Sequence, residues 1–498
     1  MEPAKEDTSQ LERGKRCPTK RIMKLRNDNW VYGIGDLREI WNDCGFEDVV
    51  GDYNLQDGDV GFINDHLIRT ISWLSSIRHD EMSRRVVDWI KKREKFDDKL
   101  PTIRADDKDL SWIGDDLISY MDSLRRFAAP VLVEGEEIKL EENEQMPYDE
   151  QDGKPDIFKF RIANGHLQLR NKEGTENGKV TVMRKRLPTS DQIHMEEIRM
   201  LNSLRDAIYK EKEEIRICTC ICTVYSNDRS TAQCLSFFAE DGDVERKLAQ
   251  IPPDCSLLED CLRQIKGIAS AIEFLHYRVQ SSNPAEEDSR YCHLDLKPEN
   301  IVVFPGQSKV GVWKVIDFGI SKVRKPTTFT TLGTDRKPRI THTVSTSTYQ
   351  LGGVFQPPEI NEQNQRVMGR RSDIWSLGCI LTEVLAANVR SLSSWRNQIK
   401  SRRSEDDGLF GDTDQFYYYY EKSDRLCMPV QYSKLNKAFR HGLNEIPNVD
   451  DPNNFKVLSK CTELVKSMVV VKRSHRLKSN LVVSELENIL NSKAVLTS

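Results

Sequence analysis

The sequence predicts an α+β protein in which a small helical domain precedes a strand-rich lobe and a mainly helical lobe. The first part shows apolar residues at helical spacing, for example in FINDHLIRTISWLSSI. Short strand-like runs such as KVTVMRKRL follow, and beyond Gly242 the chain reads as helices to its end. A strand-rich lobe followed by a helical lobe is typical of an α+β arrangement, and ligands commonly bind in a cleft between lobes.

The composition limits the class of protein. The chain has 498 residues, 38% hydrophobic and 31% charged, as expected of a globular protein with two or three domains. A net charge of −4 argues against a bulk nucleic-acid binder. No apolar run reaches the roughly 18 residues of a membrane span, and the polar start MEPAKEDTSQLERGKR lacks a signal-peptide core. We therefore expect an intracellular protein, cytoplasmic or nuclear.

Changes in composition suggest the domain boundaries. We expect a disordered N-terminus over residues 1–28, a helical domain over 29–130 and an acidic linker over 131–155. The strand-rich lobe is expected over 156–240 and the helical lobe over 241–498. The helical domain shows no chemistry of its own, and we expect it to offer a surface to a protein partner.

The most informative stretch is YCHLDLKPENIVVF, residues 291–304. It lies between an amphipathic helix, LLEDCLRQIKGIASAIEFLH, and two short apolar strands in NIVVF and WKVIDFGIS. Its polar residues are therefore expected on a loop held between rigid elements. Any one of them could be an ordinary turn residue. The joint spacing Asp-x-Lys-x-x-Asn, followed by Asp-Phe-Gly after a strand, is far more specific.

This combination resembles the catalytic core of serine/threonine protein kinases, and the resemblance covers about residues 150–495. It implies a two-lobed kinase fold that transfers the γ-phosphate of ATP to a hydroxyl group of a protein substrate. By resemblance, Asp295 orients the hydroxyl and accepts its proton, and Lys297 neutralises charge on the γ-phosphate. Asn300 and Asp317 would bind Mg²⁺, a hard cation that takes oxygen ligands.

Two further segments of the helical lobe resemble kinases in structural roles. FQPPEI places Glu359 where the activation segment closes, and RRSDIWSLGCILTEVL resembles the buried central helix. The resemblance implies that Asp373 in this helix bonds to the backbone of the catalytic loop. It also implies that Arg476 forms a salt bridge with Glu359.

The strand-rich lobe resembles kinases more weakly. VTVMRKRL is similar to the strand with the ATP-anchoring lysine, and strand alternation places Met183 and Lys185 on one face. Lys185 is the expected anchor, with Met183 against the adenine. The alternative is that Arg184, Lys185 and Arg186 form an exposed basic run.

Two more elements of a nucleotide site are expected in this lobe. The acidic partner of Lys185 should lie on the next helix, where Glu196 and Glu197 are candidates and the apolar residue four positions later favours Glu197. The segment CLSFFAEDGDV is the expected hinge, whose backbone would bind adenine at Phe237, Phe238 and Ala239.

The glycine-rich loop departs from the kinase pattern. It is expected before Lys185, where this chain has Gly165, Gly174 and Gly178, and of these only Gly165 is expected over the phosphates. Side chains in place of glycines keep backbone amides away from phosphate. The departure favours weak ATP binding and leaves a pseudokinase as an alternative. The presence of a candidate for every residue with a direct chemical role favours an active enzyme.

Leu294 stands where most regulated kinases have an arginine before the catalytic aspartate. Such an arginine binds a phosphate of the activation segment, which a leucine cannot do. We therefore expect activity that does not depend on this contact. The Thr- and Ser-rich segment between Asp317 and Glu359 is either phosphorylated or a flexible polar loop.

The first third of the chain resembles filamentous-fungal protein kinases, in SLRRFAAPVL and a polar linker that ends in MPY. Two alternatives stand beside an active serine/threonine kinase. One is a pseudokinase or scaffold that signals through conformation. The other is a protein whose helical domain recruits partners as its main role. A small-molecule phosphotransferase is disfavoured because such enzymes usually lack the KPE and PPE segments.

Overall fold

The computed structural model of the protein divides the chain into two compact units. One comprises Met1–Ile198 with Cys220–Phe238, and the other comprises Arg199–Thr219 with Ala239–Ser498. The segment expected to be disordered, residues 1–28, lies outside the described residues except for positions 21 and 22. The structure describes residues 21–22, 31–46, 55–77, 82–104, 107–113, 121, 123–142, 144–154, 157–170, 180–279, 291–318, 354–360, 369–404, 417–423, 429–435 and 437–497.

The first unit begins with helices, as the apolar spacing predicts. Trp41, Trp73 and Phe96 are fully buried in a core of this region. Buried Asp97 caps one helix, since its carboxylate accepts from the backbone N–H and the hydroxyl of Thr70 at 2.7 and 2.6 Å. The elements are α1 (Ile34–Cys44), α2 (Asp57–His66), α3 (Ile68–Ile77) and α4 (Met82–Lys92), with 3₁₀ turns at Phe96–Asp98, Leu100–Thr102 and Lys108–Ile113.

The same unit continues into a six-stranded sheet. Its strands are β2 (Glu137–Lys139), β3 (Tyr148–Lys154), β4 (Ile157–Ile162), β6 (Thr181–Pro188), β7 (Cys222–Tyr225) and β8 (Thr231–Phe237). They lie in the order β2-β7-β8-β6-β4-β3, and β2 pairs with β7 in parallel while the other pairs are antiparallel. Two short strands, β1 (Leu132–Val133) and β5 (Leu167–Gln168), form a separate parallel pair. Helix α5 (Gln192–Ile208) follows β6.

Residues 131–155 differ from the acidic linker that their composition predicts. They contribute β1, β2 and β3, and β3 is an edge strand of the large sheet. An edge strand is paired on one side only and readily carries charged side chains, so the sequence YDEQDGK is compatible with a strand. The strand-rich part of the chain therefore begins before residue 156.

A tight turn after β4 joins the sheet to the helical domain. Gly165 in this turn has a φ of +78°, and a Cβ built on it would lie 2.7 Å from the backbone nitrogen of Gly35 in α1. Asn164 secures the contact, because its carbonyl accepts from the Gly35 N–H at 3.0 Å and its side-chain amide donates to Asp36 at 3.1 Å. Glycine alone combines this left-handed backbone with so close an approach.

His166, the next residue, is fully buried between two backbone carbonyls. Its Nδ1 lies 2.9 Å from the Pro130 oxygen, and its Nε2 lies 3.4 Å from the Tyr32 oxygen. Burial lowers the pKa of His166 to about 4, so the ring is neutral near neutral pH. A neutral imidazole donates from one nitrogen only, and the shorter contact assigns that role to Nδ1. His166 thus adds a second link between the sheet and the helical domain.

We expect Gly165→Ala to lower the free energy of unfolding by about 2 kcal/mol or more, because the left-handed backbone and the close contact both disfavour the added methyl group. The matched control is Gly61→Ala in α2, where nothing lies within 4 Å of the new Cβ and alanine should stabilise by about 0.5–1 kcal/mol. Urea unfolding of the full-length chain, followed by hydrogen exchange in α1, measures both. Equal effects would mean that Gly165 is an ordinary turn residue.

The second unit is mainly helical and is built around one buried helix. Two antiparallel hairpins accompany the helices, β9 (Ile301–Phe304) with β10 (Val312–Val315) and β11 (Tyr417–Ser423) with β12 (Pro429–Leu435). The helices are α6 (Val244–Leu248), α7 (Leu258–Tyr277), α8 (Arg370–Val389), α9 (Leu392–Ser404), α10 (Lys437–Glu445), α11 (Pro452–Met468) and α12 (Ser479–Thr497), with 3₁₀ turns at Pro298–Asn300, Pro358–Ile360 and Arg473–His475. Every residue of α8 from Ser372 to Asn388 is buried, as expected of a helix surrounded on all sides.

The strand-rich part followed by the helical part confirms the predicted α+β class. Within the described ranges, no helix combines the length and the apolar character needed to cross a membrane.

Candidate active site

One buried aspartate holds the loop between α7 and β9. The Oδ2 atom of Asp373 on α8 accepts from the His293 N–H at 2.9 Å, and its Oδ1 accepts from the Leu294 N–H at 2.7 Å. The Nε2 of His276 on α7 lies 2.8 Å from the same Oδ2. Since Asp373 is fully buried, these bonds satisfy its charge and fix the loop to two helices.

Leu294 lies in this loop with a strained backbone. Its φ of +69° is left-handed, a conformation that costs an L-residue about 1–2 kcal/mol. The bond from its N–H to Asp373 and the burial of its side chain, which is 5% exposed, offset that cost. Leu294 thus acts in the loop through its backbone and its apolar packing.

One carboxylate oxygen of Asp295 accepts hydrogen bonds from neighbouring side chains, and the other is open to a ligand. Its Oδ2 accepts from Lys297 Nζ at 2.9 Å and from Asn300 Nδ2 at 3.0 Å. Asn300 Nδ2 also donates to the Asp295 carbonyl at 2.8 Å. Among the described residues, Asp295 Oδ1 has no hydrogen-bond partner, although the side chain is only 17% exposed. This oxygen can therefore accept a hydrogen bond from an incoming hydroxyl group.

The amine of Lys297 beside Asp295 is stabilised in its protonated form. Burial lowers the pKa of Lys297, whereas the hydrogen bond and the charge of Asp295, together with the charges of Glu299 and Asp317, raise it. The net shift of the pKa is upward. Lys297 is therefore protonated near neutral pH, and it can face a negatively charged ligand.

Asn300 and Asp317 offer oxygen atoms of the kind that Mg²⁺ prefers. Because Nδ2 of Asn300 makes both donations to Asp295, its Oδ1 is left for a cation. The Ile316 N–H donates to the Asn300 carbonyl at 2.9 Å, which places the two segments side by side. Asp317 follows as an exposed residue with a φ of +62°. An amide oxygen and a carboxylate are ligand types that suit a magnesium ion that keeps water or phosphate oxygens as further ligands.

His293 links the catalytic loop to the Asp-Phe-Gly segment. Its Nε2 lies 2.9 Å from the Ile316 carbonyl oxygen, and its ring meets the buried Phe318 ring edge-on at 5.1 Å. The backbone around Asp317 is thereby tied to the loop that carries Asp295.

The first unit brings Lys185 and Glu197 together. Lys185 Nζ lies 2.5 Å from Glu197 Oε1, and Glu197 is 5% exposed. Arg184, the preceding residue, stacks over the Phe158 ring at 4.4 Å, as strand alternation predicts for a side chain on the other face. Of the two acidic candidates on α5, Glu196 is exposed. The pair therefore involves Glu197.

The expected hinge lies where the chain passes between the two units. Met183 is half-buried on β6, and Phe237 ends β8 with 36% of its surface exposed. The Phe238 N–H donates to the Thr181 carbonyl at 3.3 Å. The boundary between the units falls between Phe238 and Ala239.

Gly165 lies far along the strand from Lys185. In the register of β4 with β6, Ile157 faces Lys185 and Arg161 faces Thr181. Gly165 comes after Arg161 in the chain, past the Thr181 end of β6, and it contacts α1 of the helical domain. This placement corrects the expectation that Gly165 covers the phosphates. The two other glycines named for this loop, at positions 174 and 178, lie outside the described residues.

The hairpin at the lysine end of the sheet is formed by β3 and β4. Its closing pair is Lys154 with Ile157, directly beside Lys185 in the next strand. The sequence of the hairpin, YDEQDGKPDIFKFRI, contains one glycine, Gly153. Sequence reasoning missed this hairpin, although Gly-Lys-Pro-Asp between two strand-like runs is a turn signal.

A cavity of about 250 Å³ borders the catalytic loop at Glu299. Glu245 and Glu383 also line it, and Arg396 from α9 binds both carboxylates at 2.6–2.8 Å. Burial raises the pKa of Glu383, and the hydrogen bond of Arg396 lowers it in part. Arg396 therefore neutralises much of the negative charge here. No sequence pattern had indicated its role.

A buried ion pair holds the end of the activation segment. Nη1 and Nη2 of Arg476 bind the two oxygens of Glu359 at 2.6 and 2.7 Å, and the two side chains are 0% and 7% exposed. The guanidinium also lies 4.9 Å from the centre of the Trp375 ring. The expected activation segment before Glu359 lies largely outside the described residues, which resume at position 354.

Comparison with known proteins identifies the family of this chain. Residues 171–488 match the family described as the protein kinase domain. The match covers more than half of the chain, and the protein belongs to the protein kinase domain family. It begins after β4, so the hairpin with the single glycine precedes it.

Named relatives share shorter segments. Serine/threonine-protein kinase MPS1 of Encephalitozoon cuniculi is 39% identical over 100 residues, which are 20% of this chain and 14% of that protein. Cyclin-dependent kinase 4 of Xenopus laevis is 29% identical over 164 residues, 33% of this chain and 41% of that protein. Mitogen-activated protein kinase kinase kinase 5 of Homo sapiens is 27% identical over 158 residues, 31% of this chain and 10% of that protein. Each alignment spans less than half of the relative.

Proposed function

We propose that this protein is a serine/threonine protein kinase that transfers the γ-phosphate of ATP to a hydroxyl group of a protein substrate. The observation that carries the proposal is Asp295, whose Oδ1 is open while Oδ2 is held by Lys297 and Asn300. Membership of the protein kinase family supports it. The lysine two residues after the aspartate favours serine or threonine as the acceptor, as do relatives named as serine/threonine kinases.

In the proposed reaction, the substrate hydroxyl donates a hydrogen bond to Asp295 Oδ1 while its oxygen attacks the γ-phosphorus. The new oxygen–phosphorus bond forms as the bond to the β–γ bridging oxygen breaks, so ADP leaves and the hydroxyl proton passes to Asp295. Lys297 offsets the negative charge of the transferred group. Asn300 Oδ1 and Asp317 would hold Mg²⁺, which supplies positive charge against the phosphate oxygens.

The nucleotide is proposed to bind through Lys185 and the hinge segment. Lys185 donates to the α- and β-phosphates, and Glu197 holds its amine in place. The backbone of residues 237–239 binds the adenine edge, with Met183 against the ring. The half-buried position of Met183 on the same strand face as Lys185 supports this assignment.

Control of the reaction is proposed to be independent of an arginine before Asp295. Leu294 is buried and apolar, and its N–H already bonds to Asp373. A phosphate on the activation segment therefore finds no cation at this position. We infer that the loop is held in shape by Asp373 rather than by phosphorylation at that contact.

The hairpin with one glycine favours a second candidate, a pseudokinase. The sequence of this hairpin has one glycine, Gly153, and residues other than glycine restrict the close approach of backbone amides to phosphate. Such a protein would bind nucleotide weakly or not at all and would act through conformation. The arrangement around Asp295 favours the active enzyme, because a protein without catalysis has no need of a carboxylate held by Lys297 and Asn300 with its second oxygen open.

The test incubates the purified full-length protein with γ-labelled ATP and either Mg²⁺ or Mn²⁺. It measures transfer of the label to the protein itself and to a Ser- and Thr-rich protein. We expect transfer by the wild type and a loss of about 10–100-fold in Lys185→Met, the effect of one charge-assisted contact with phosphate. Lys456→Met, at an exposed lysine of α11, is the matched control. Absence of transfer by a folded wild type would favour the pseudokinase.

A further inference from the structure

A cavity of about 210 Å³ lies in the second unit among the end of α7 and the beginnings of α8 and α12. Four cationic side chains line it, and no carboxylate among the described residues does so. A water molecule takes about 30 Å³ in the liquid, so the cavity holds several water-sized groups. The cationic residues are Arg370, Arg371, Arg473 and Lys478.

The nearby buried carboxylates are engaged elsewhere. Asp373 accepts from His276 and from two backbone N–H groups of the catalytic loop. Glu359 accepts from Arg476 and from the Ser372 hydroxyl. Neither acid is left to neutralise the cations around the cavity.

Arg371 shows that this positive charge is incompletely compensated. Its Nη1 is buried without a hydrogen-bond partner among the described residues. Burial lowers the pKa of Arg371, the Tyr277 hydroxyl raises it, and the charges of Arg370 and Arg476 lower it, with a net downward shift. A buried donor without an acceptor is costly, so an anion that accepted from Arg371 would stabilise this site.

Two helices begin at the cavity. Arg370 and Arg371 are the first residues of α8, and Lys478 with Ser479 stands at the start of α12. The first N–H groups of a helix lack partners inside the helix, and the helix dipole places partial positive charge there. Both features add to the cationic side chains and favour the same kind of ligand.

We propose that this cavity binds a phosphate group through Arg371, Arg370 and Lys478. A tetrahedral oxyanion with negative charge matches several convergent donors, and planar guanidinium groups bind phosphate with two parallel bonds. The phosphate belongs either to a small phosphate ester or to a phosphorylated side chain, which share this chemistry. The proposal does not rest on phosphoryl transfer, because none of these residues belongs to the site around Asp295.

The first experiment titrates full-length protein with inorganic phosphate by calorimetry at constant ionic strength. All proteins in this experiment carry Lys185→Met. They therefore all lack the proposed phosphate contact of the nucleotide site, and differences between them report the cavity. We expect Arg371→Gln to weaken phosphate binding by about tenfold, as for the loss of one charge-assisted bond. Arg370→Gln with Lys478→Gln changes two exposed residues, which preserves the fold, and should weaken binding at least as much. The matched control is Arg263→Gln, at an arginine on α7 that is 58% exposed.

The second experiment identifies the source of the phosphate by repeating the titration with a short phosphothreonine peptide and its unphosphorylated form. Tighter binding of the phosphopeptide than of inorganic phosphate assigns the site to a phosphorylated side chain. Equal binding assigns it to a small phosphate or ester. Binding unaffected by Arg371→Gln and by the double variant, or no binding of either probe, overturns the proposal. Because calorimetry measures binding and not phosphoryl transfer, these outcomes are independent of the proposed kinase activity.

Discussion

Asp295→Asn is expected to lower the rate of phosphoryl transfer by about 10²–10⁴-fold, the usual contribution of a positioned general base. The amide oxygen of asparagine can replace Oδ2 and accept from Lys297 and Asn300, as the carboxylate does at 2.9 and 3.0 Å. The amide nitrogen then replaces Oδ1. The open atom becomes a donor, which can neither orient a hydroxyl as acceptor nor take its proton.

The loop geometry should be preserved in Asp295→Asn. The affinity for ATP therefore distinguishes a loss of catalysis from a loss of nucleotide binding. We expect the affinity for ATP to stay within about threefold of the wild type, because the substituted atom faces the acceptor hydroxyl rather than the nucleotide. Asp450→Asn, at an exposed aspartate of the same unit, is the matched control and should leave the rate unchanged. An Asp295→Asn variant that kept most of the wild-type rate would remove Asp295 from the proposed mechanism.

Arg476→Met is expected to lower the free energy of unfolding of the second unit by about 3–5 kcal/mol, the usual effect of removing one member of a buried ion pair. The change leaves the carboxylate of Glu359 buried, with 7% of its side chain exposed. The Ser372 hydroxyl would be its remaining side-chain donor among the described residues. Urea unfolding followed by hydrogen exchange in α8 reports this unit, since Arg476 lies against Trp375 of that helix.

The double variant Glu359→Gln with Arg476→Met tests the cause of that loss. Removal of both charges avoids an unpaired buried charge, and we expect it to recover at least half of the lost stability. Arg263→Met, in a pair with Glu259 whose side chains are 58% and 39% exposed, should change stability by less than about 1 kcal/mol. If Arg476→Met had no larger effect than Arg263→Met, the buried pair would not stabilise the end of the activation segment.

The parts that could be predicted from sequence depend on short spacings. Asp295, Lys297 and Asn300 lie within one loop, and the structure joins their side chains directly. Glu197 was favoured over Glu196 because the apolar Leu201 follows it by four positions, and Glu197 is the acid that pairs with Lys185. In these cases the chain itself keeps the residues close.

The parts that could not be predicted depend on pairings between distant segments. The hairpin of β3 and β4 was hidden because an edge strand tolerates the charges of YDEQDGK. Gly165 was assigned to phosphate because a glycine before Lys185 fits the family pattern, whereas its backbone is required by contact with Gly35, far back in the chain. Arg396 lies on an exposed-looking basic helix, and nothing local shows that it faces buried Glu383.

The hydrogen bonds between Asp373 and the catalytic-loop backbone affect which substitutions this loop can accept. Asp373 binds backbone N–H groups at positions 293 and 294, and every residue except proline carries such a group. The side chain at position 294 can therefore be exchanged without loss of these bonds. A change between leucine and arginine there would keep these two backbone bonds, but it would lose the apolar packing of a side chain that is buried here. The backbone bonds to Asp373 and the packing of the side chain at position 294 are thus two separate contributions to the shape of this loop.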